Sequence, residues 1–206
     1  MWFRQAVGAT LLAGTLAACA SGPGGEAFLR PGPQPLPDSR TVGERIVYSE
    51  KDITLVVEWL SFESIAWYYK NRPGLVNPFE ALPLSSPKPL AFLLKLENRG
   101  QETVYFDPQQ VSLTDQDRLR VFPLRYEDFY LQLTEEKQQA GTLPSIQASI
   151  FSGYVALSPN KEREGLLLFH ELPPNSKTLL LELSSFYIGA EAKPLLFTFD
   201  VVRKAP

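Results

Sequence analysis

From residue 41 to the end of the chain, apolar residues come in short runs that alternate with polar ones or are rich in β-branched and aromatic types. The pattern predicts strands at Arg45–Tyr48, Ile53–Leu60 (ITLVVEWL), Leu90–Glu97 (LAFLLKLE) and Thr103–Phe106. Further strands are predicted at Val111–Thr114 with Arg118–Phe122, Glu164–Phe169, Thr178–Leu183 and Leu195–Val202. Turn residues separate them: Asn98-Arg99-Gly100, Asp115-Gln116-Asp117 and Pro173-Pro174-Asn175. Asn, Asp and Gly tolerate left-handed backbone and Pro presets φ, so these are turns with a mechanism. Two stretches break the alternation. Phe62–Asn71 and Tyr126–Gln139 lack internal Pro and Gly, and in the second Tyr126, Phe129, Tyr130 and Leu133 fall on one helical face. Thr142–Ser158 stays open between helix and strand, with Tyr154–Leu157 as a candidate strand. Seven or more short strands with short connections predict a mainly β domain over 41–206, an antiparallel β-sandwich with one or two short helices in its connections. Neither strand–helix–strand alternation nor a glycine-rich phosphate loop is present, which argues against a dinucleotide-binding fold.

The segment Leu90–Leu124 (LAFLLKLENRGQETVYFDPQQVSLTDQDRLRVFPL) resembles the telokin-like, immunoglobulin-like domains of bacterial lipoproteins. Those show a strand, an Asn-x-Gly turn, a second strand, and then a V-x-L-x-D strand leading into a hairpin. Lys161–Leu172 (KEREGLLLFHEL) is similar to the strand that follows, with a Gly before an apolar run. The likeness spans about half of the chain and implies an immunoglobulin-like sandwich. It carries no catalytic motif and therefore no activity.

The beginning of the chain reads differently. One charge, Arg4, precedes an uncharged run from Ala6 to Ala18, which ends at Cys19. This is the layout of a secretory signal peptide, and it is too short for a permanent membrane span. Leu16-Ala17-Ala18-Cys19 matches the lipobox of bacterial lipoproteins. The resemblance implies that Cys19 is lipidated on sulfur, that residues 1–18 are removed and that the new N-terminus is acylated. Ala20, where an Asp commonly retains such proteins in the inner membrane, is similar to the outer-membrane-sorted class facing the periplasm. Residues 20–40 hold five Pro and four Gly. Together with Cys19 they are expected to form a tether, 19–40, and the 21 residues reach from about 25 Å as a coil to about 65 Å as polyproline II. The alternative, that Phe28 and Leu29 dock on the domain, stays open.

Composition narrows the chemistry. The 206 residues are 44% hydrophobic, enough for a core, and contain one Cys and one His. One Cys forbids an internal disulfide, and one His with one Cys forbids the common zinc and iron–sulfur ligand sets. The net charge of -3 offers no basic footprint for nucleic acid. Removing residues 1–18 takes only Arg4, leaving 19 basic against 23 acidic residues, so membrane attachment is expected to rest on the acyl chains at Cys19. His170 ends an apolar run, and adjacent Glu171 would point to the opposite face of a strand, so the pair reads as a strand end. Asp115-Gln116-Asp117 lacks the rest of a calcium loop and reads as a hairpin turn. Glu135-Glu136-Lys137 reads as a solvated helix face.

Aromatic residues are the remaining signal. Trp59, Phe62, Trp67, Tyr68 and Tyr69 crowd eleven residues ahead of a Pro-rich loop at 72–89, and Tyr126, Phe129 and Tyr130 form a second cluster. Core packing accounts for most of them. Trp67, Tyr68 and Tyr69 are the candidate interaction surface, since Trp and Tyr supply rigid amphipathic area at interfaces. The expectation is therefore a non-catalytic, membrane-anchored bacterial envelope lipoprotein without metal or cofactor, acting as a structural or protein-interaction module with an envelope protein as partner. The alternative is a module that binds a small ligand, glycan or peptide in a closed pocket. An enzyme working through a carboxylate pair ranks last, because no spacing selects the pair.

Overall fold

Nine residues from Lys161 to Phe169 read KEREGLLLF, polar at first and then apolar without alternation. In the computed structural model this strand is covered by different partners along its length. The structure describes residues 27–80, 88–132, 141–170 and 175–203. Its strands are β1 (Ala27–Pro31), β2 (Ser39–Val42), β3 (Arg45–Glu50), β4 (Ile53–Leu60), β5 (Leu90–Asn98), β6 (Val104–Phe106) and β7 (Val111–Asp115). They continue as β8 (Arg120–Val121), β9 (Val155–Leu157), β10 (Lys161–Phe169), β11 (Thr178–Leu183), β12 (Phe186–Ile188), β13 (Glu191–Ala192) and β14 (Leu195–Arg203). Among the described residues three α-helices interrupt them: α1 (Phe62–Lys70), α2 (Tyr126–Gln132) and α3 (Leu143–Ser149).

The strands form an antiparallel sandwich, the mainly β class expected from the sequence. One sheet runs β1-β14-β11-β7-β8 and the other β10-β5-β4-β3-β2, while a smaller sheet, β13-β12-β6-β9, closes one side. Inward side chains of all three meet in one core. Ile46, Leu55, Val57, Phe92, Leu94 and Phe169 come from the second sheet, and Leu113, Leu181, Phe197 and Phe199 from the first. The rings of Phe92 and Phe199 are 5.0 Å apart across the sheets, and Phe92 meets Phe169 edge-on at 5.9 Å. Burying one such ring is worth about 2–3 kcal/mol, so this layer is the main source of stability.

The outer face of the second sheet is buried too, at one end. Leu60, Ala91, Leu166 and Leu168 point away from the sandwich and pack against Ile65, Tyr69, Phe129 and Ile146 of the three helices. A strand buried on both faces must be apolar at successive positions, which explains the LLLF run. Beyond the helices β5 alternates, with Lys95 facing solvent, while Lys161–Glu164 of β10 are all exposed. Gly165 marks the close approach of the segment after α3. A Cβ there would lie 2.9 Å from the Phe151 ring, and Phe151 N–H donates to Leu166 O at 3.0 Å.

Asn98 shows why the expected turn after β5 forms. Its fully buried side chain donates to Glu102 O and Leu157 O, both at 2.8 Å, and accepts from Gly100 N–H at 3.0 Å. A Cβ on Gly100 would sit 2.9 Å from Lys51 O, so glycine is needed there. At the β7–β8 hairpin Asp115 Oδ1 accepts from the N–H groups of Asp117 and Leu119, each at 2.9 Å, and Arg118 takes φ 66°, as a turn requires.

Two expectations change. The tether does not extend to residue 40. From Ala27 the chain is part of the fold: β1 pairs along β14 from Ala27 opposite Arg203 to Pro31 opposite Phe199, Leu29 is buried, and Leu36 packs on the core. The sandwich domain thus includes the chain from Ala27 on and does not wait until 41. β1 lies at the edge of its sheet, where prolines cost no ladder bond, and Gln34 Nε2 secures the Pro-rich turn by donating to Thr198 O at 2.9 Å. The open stretch Thr142–Ser158 holds helix α3 and then β9, and strands β2, β12 and β13 are additional elements, each four residues or shorter and too brief to show a period. The helix at Tyr126 is described only to Gln132; Leu133 and Glu135-Glu136-Lys137 lie outside the described residues, as do residues 1–26 with Cys19.

Candidate interaction surface

Helix α1 follows β4 directly. Ser61 ends the strand and caps the helix, its Oγ accepting from Ser64 N–H at 3.1 Å, with Glu63 in the first turn and Lys70 in the last. Both charges complement the helix dipole. Ile65, Tyr68 and Tyr69 face inward, while Phe62 and Trp67 face outward.

This splits the predicted trio. Tyr69 is 1% exposed; its hydroxyl shares a hydrogen bond of 2.7 Å with Ser149 Oγ of α3, and its ring meets Phe79 edge-on at 6.1 Å. Burial drives the Tyr69 hydroxyl pKa up, and the Ser149 bond only partly opposes this. Tyr68 is buried as well, packed edge-on against Tyr69 at 5.2 Å. Both tyrosines are core residues, because helical spacing turns positions 65, 68 and 69 toward the sheet. Only Trp67, 66% exposed, offers surface.

Arg72 supplies what the sequence did not suggest. Its guanidinium lies 3.5 Å from the centroid of the Tyr68 ring and donates to Tyr68 O at 3.0 Å. It also pairs with Glu164 of β10, which ties the helix to the sheet edge. The i, i+4 spacing of Tyr68 and Arg72 is the signal that could have found the stack. Beside them Arg45 and Glu58, directly opposed on β3 and β4, pair at 2.7 Å. Trp67 stands between two depressions. One, of about 310 Å³, runs over Tyr68 and Leu93 between the Arg72–Glu164 and Arg45–Glu58 pairs. The other, of about 570 Å³, lies on Pro73, Gly74 and Leu75 with Lys70, Asn77 and Glu80 at its rim. The arrangement is an exposed indole with paired charges around it, suited to docking a surface.

The remaining sequence candidates stay apart. His170 is exposed at the end of β10, Glu171 lies outside the described residues, and Asp115 and Asp117 serve the hairpin turn. Tyr126 packs on the helical core, Phe129 is buried within it and Tyr130 is exposed. Among the described residues no three His, Cys, Asp or Glu side chains are grouped to hold a metal ion, and no helix is long and apolar enough to cross a membrane.

At the other end of the sandwich lies a charged network that sequence reasoning also missed. Lys193 Nζ bridges Glu50 and Glu191, at 2.8 Å each, and Glu191 also pairs with Lys51 at 2.5 Å. Tyr48 donates its hydroxyl to Glu50. The bonds from Lys193 and then Lys51 draw the Glu191 pKa down to about 2. Glu50 is lowered for the same reason, with Lys193 the larger cause and Tyr48 the second. Every member has a partner, so the network ties β13 to the β3–β4 turn.

No family model and no curated protein matches the chain. One solved structure, the yjhA protein from Bacillus subtilis, is similar over 75% of this chain and 95% of its own, at 12% identity and a TM-score of 0.40.

Proposed function

We propose that this protein is a non-catalytic, membrane-anchored lipoprotein of the bacterial envelope whose sandwich domain acts as a structural or protein-interaction module. The observation that carries the reading is Leu16-Ala17-Ala18-Cys19, with the chain's sole cysteine at the end of the apolar run. Diacylation or triacylation anchors stably where one chain does not. The outer membrane, periplasmic face, is the location this reading assigns, because Ala20 follows the cysteine.

Trp67 supports the interaction half. An indole exposed on a rigid helix, held by buried tyrosines beneath it and ion pairs beside it, loses little entropy on docking. Its flanking depressions are open to solvent, which favours a protein surface over an enclosed small ligand. The test of the anchor is metabolic labelling with a palmitate analogue. Wild-type protein should label and sediment with membranes, and Cys19→Ser should do neither. Label retained by Cys19→Ser refutes the anchor.

A further inference from the structure

The structure moves the domain toward its anchor. Because β1 is paired with β14 from Ala27 onward, at most residues 20–26 separate Cys19 from the fold. Eight steps of extended chain, at about 3.3–3.6 Å per residue, span no more than about 29 Å. The point at which this short connection enters the domain decides which surface faces the lipid.

Ala27 lies on the rim of a groove of about 430 Å³ whose walls include Phe28, Trp59, Phe62, Lys88 and Leu90. Phe62 is 37% exposed on the outer side of α1, and Lys88 Nζ sits 4.5 Å from the centroid of its ring. Trp59 is only partly buried. Among the described residues Glu63 contributes the one carboxylate of the lining. Aromatic rings with the Lys88 ammonium at their edge match the headgroup level of a bilayer, where amphipathic rings lodge and lysines snorkel toward phosphate. The connection also acts as an intramolecular linker, so a contact too weak to bind a membrane alone is populated once Cys19 is anchored.

We infer that this end of the sandwich, with Phe28, Trp59, Phe62 and Lys88 around the entry of the chain, rests on the lipid surface and sets the orientation of the domain. The inference rests on lipidation of Cys19. It holds the opposite end, with the Asn98–Gly100 turn, away from the membrane, because β5 runs nine residues, about 30 Å, from the groove to that turn.

The test uses the full lipidated chain reconstituted into vesicles of phosphatidylcholine with one quarter phosphatidylglycerol. Lipidation occupies the sole native cysteine, so a single fluorophore can be placed through Glu63→Cys at the groove or Arg99→Cys at the far turn. Brominated acyl chains should quench the label at 63 at least twofold more than the label at 99. Phe62→Ser with Lys88→Gln, added to the Glu63→Cys chain, should lower its quenching to the level at 99. Vesicles that carry the protein on flotation but quench both positions equally overturn the contact and leave the anchor standing. A chain that does not float with vesicles overturns both. Shielding of the label at 63 that follows protein density and ignores bromination assigns the face to a second copy and overturns the proposal.

Discussion

The second sheet is buried on its two faces by different means, and the difference separates stability from presentation. On the inner face Phe92, Leu94 and Phe169 meet hydrocarbon side chains of another sheet, such as Phe197 and Phe199. On the outer face Leu166, Leu168 and Ala91 meet short helices, and polar groups come inside with them. Tyr69 needs Ser149, Ser145 Oγ donates to Gly141 O at 2.8 Å, and Asn77 Oδ1 accepts from Phe79 N–H at 3.1 Å. Sheet-on-sheet packing saturates its backbone within the ladders, whereas short helices leave ends and connections to satisfy. The inner layer therefore holds the fold, and the outer layer holds a surface out to solvent.

The largest effect expected is from the inner layer. Phe92→Ala should cost about 3–5 kcal/mol in urea unfolding, since the rigid sheets cannot close the cavity. A cost near 1 kcal/mol would place the main core elsewhere. Asn98→Ala should cost about 1–3 kcal/mol, because Glu102 O and Leu157 O lose their donor in a dry site. Tyr69→Phe in the outer layer should cost only about 1 kcal/mol, measured the same way, with Ser149 still bonded to Ile146 O. A loss as large as that of Phe92→Ala would remove the distinction between the layers.

Acid should act on the far network first. Glu191 and Glu50 have pKa values lowered in the folded state, so their contribution is complete above the ordinary carboxylate range, about 4.5. It is lost as pH falls from there toward about 2, the folded value of Glu191. The urea midpoint should drop less between pH 5 and pH 3 in Lys193→Gln than in wild type, and an identical drop would show the network to be inert. Trp67→Ala should change stability by no more than about 0.5 kcal/mol, as expected for an exposed side chain, while weakening crosslinking to envelope protein.

The inner layer could be read from the sequence because its strands are long and turn-bounded: ITLVVEWL and LAFLLKLE each carry their own period. Residues 27–40 misled because five prolines in the tract from 20 to 40 suggest linker, yet an edge strand needs few ladder bonds and tolerates them. Trp67, Tyr68 and Tyr69 could be nominated as a cluster but not sorted, since three consecutive aromatics divide only when the helix phase is set by Ile65. Arg72 and Glu164 stand 92 residues apart, and no local pattern announces such a pair.

The central proposal is that Cys19 carries lipid and that the chain has joined its fold by Ala27, eight residues later. Intact-mass analysis of the protein extracted from membranes with detergent tests it most directly. The account predicts a chain beginning at Cys19 and heavier than its sequence by two or three acyl groups with the attached glycerol. A chain that retains residues 1–18, or one that begins at Cys19 with no added mass, would contradict it.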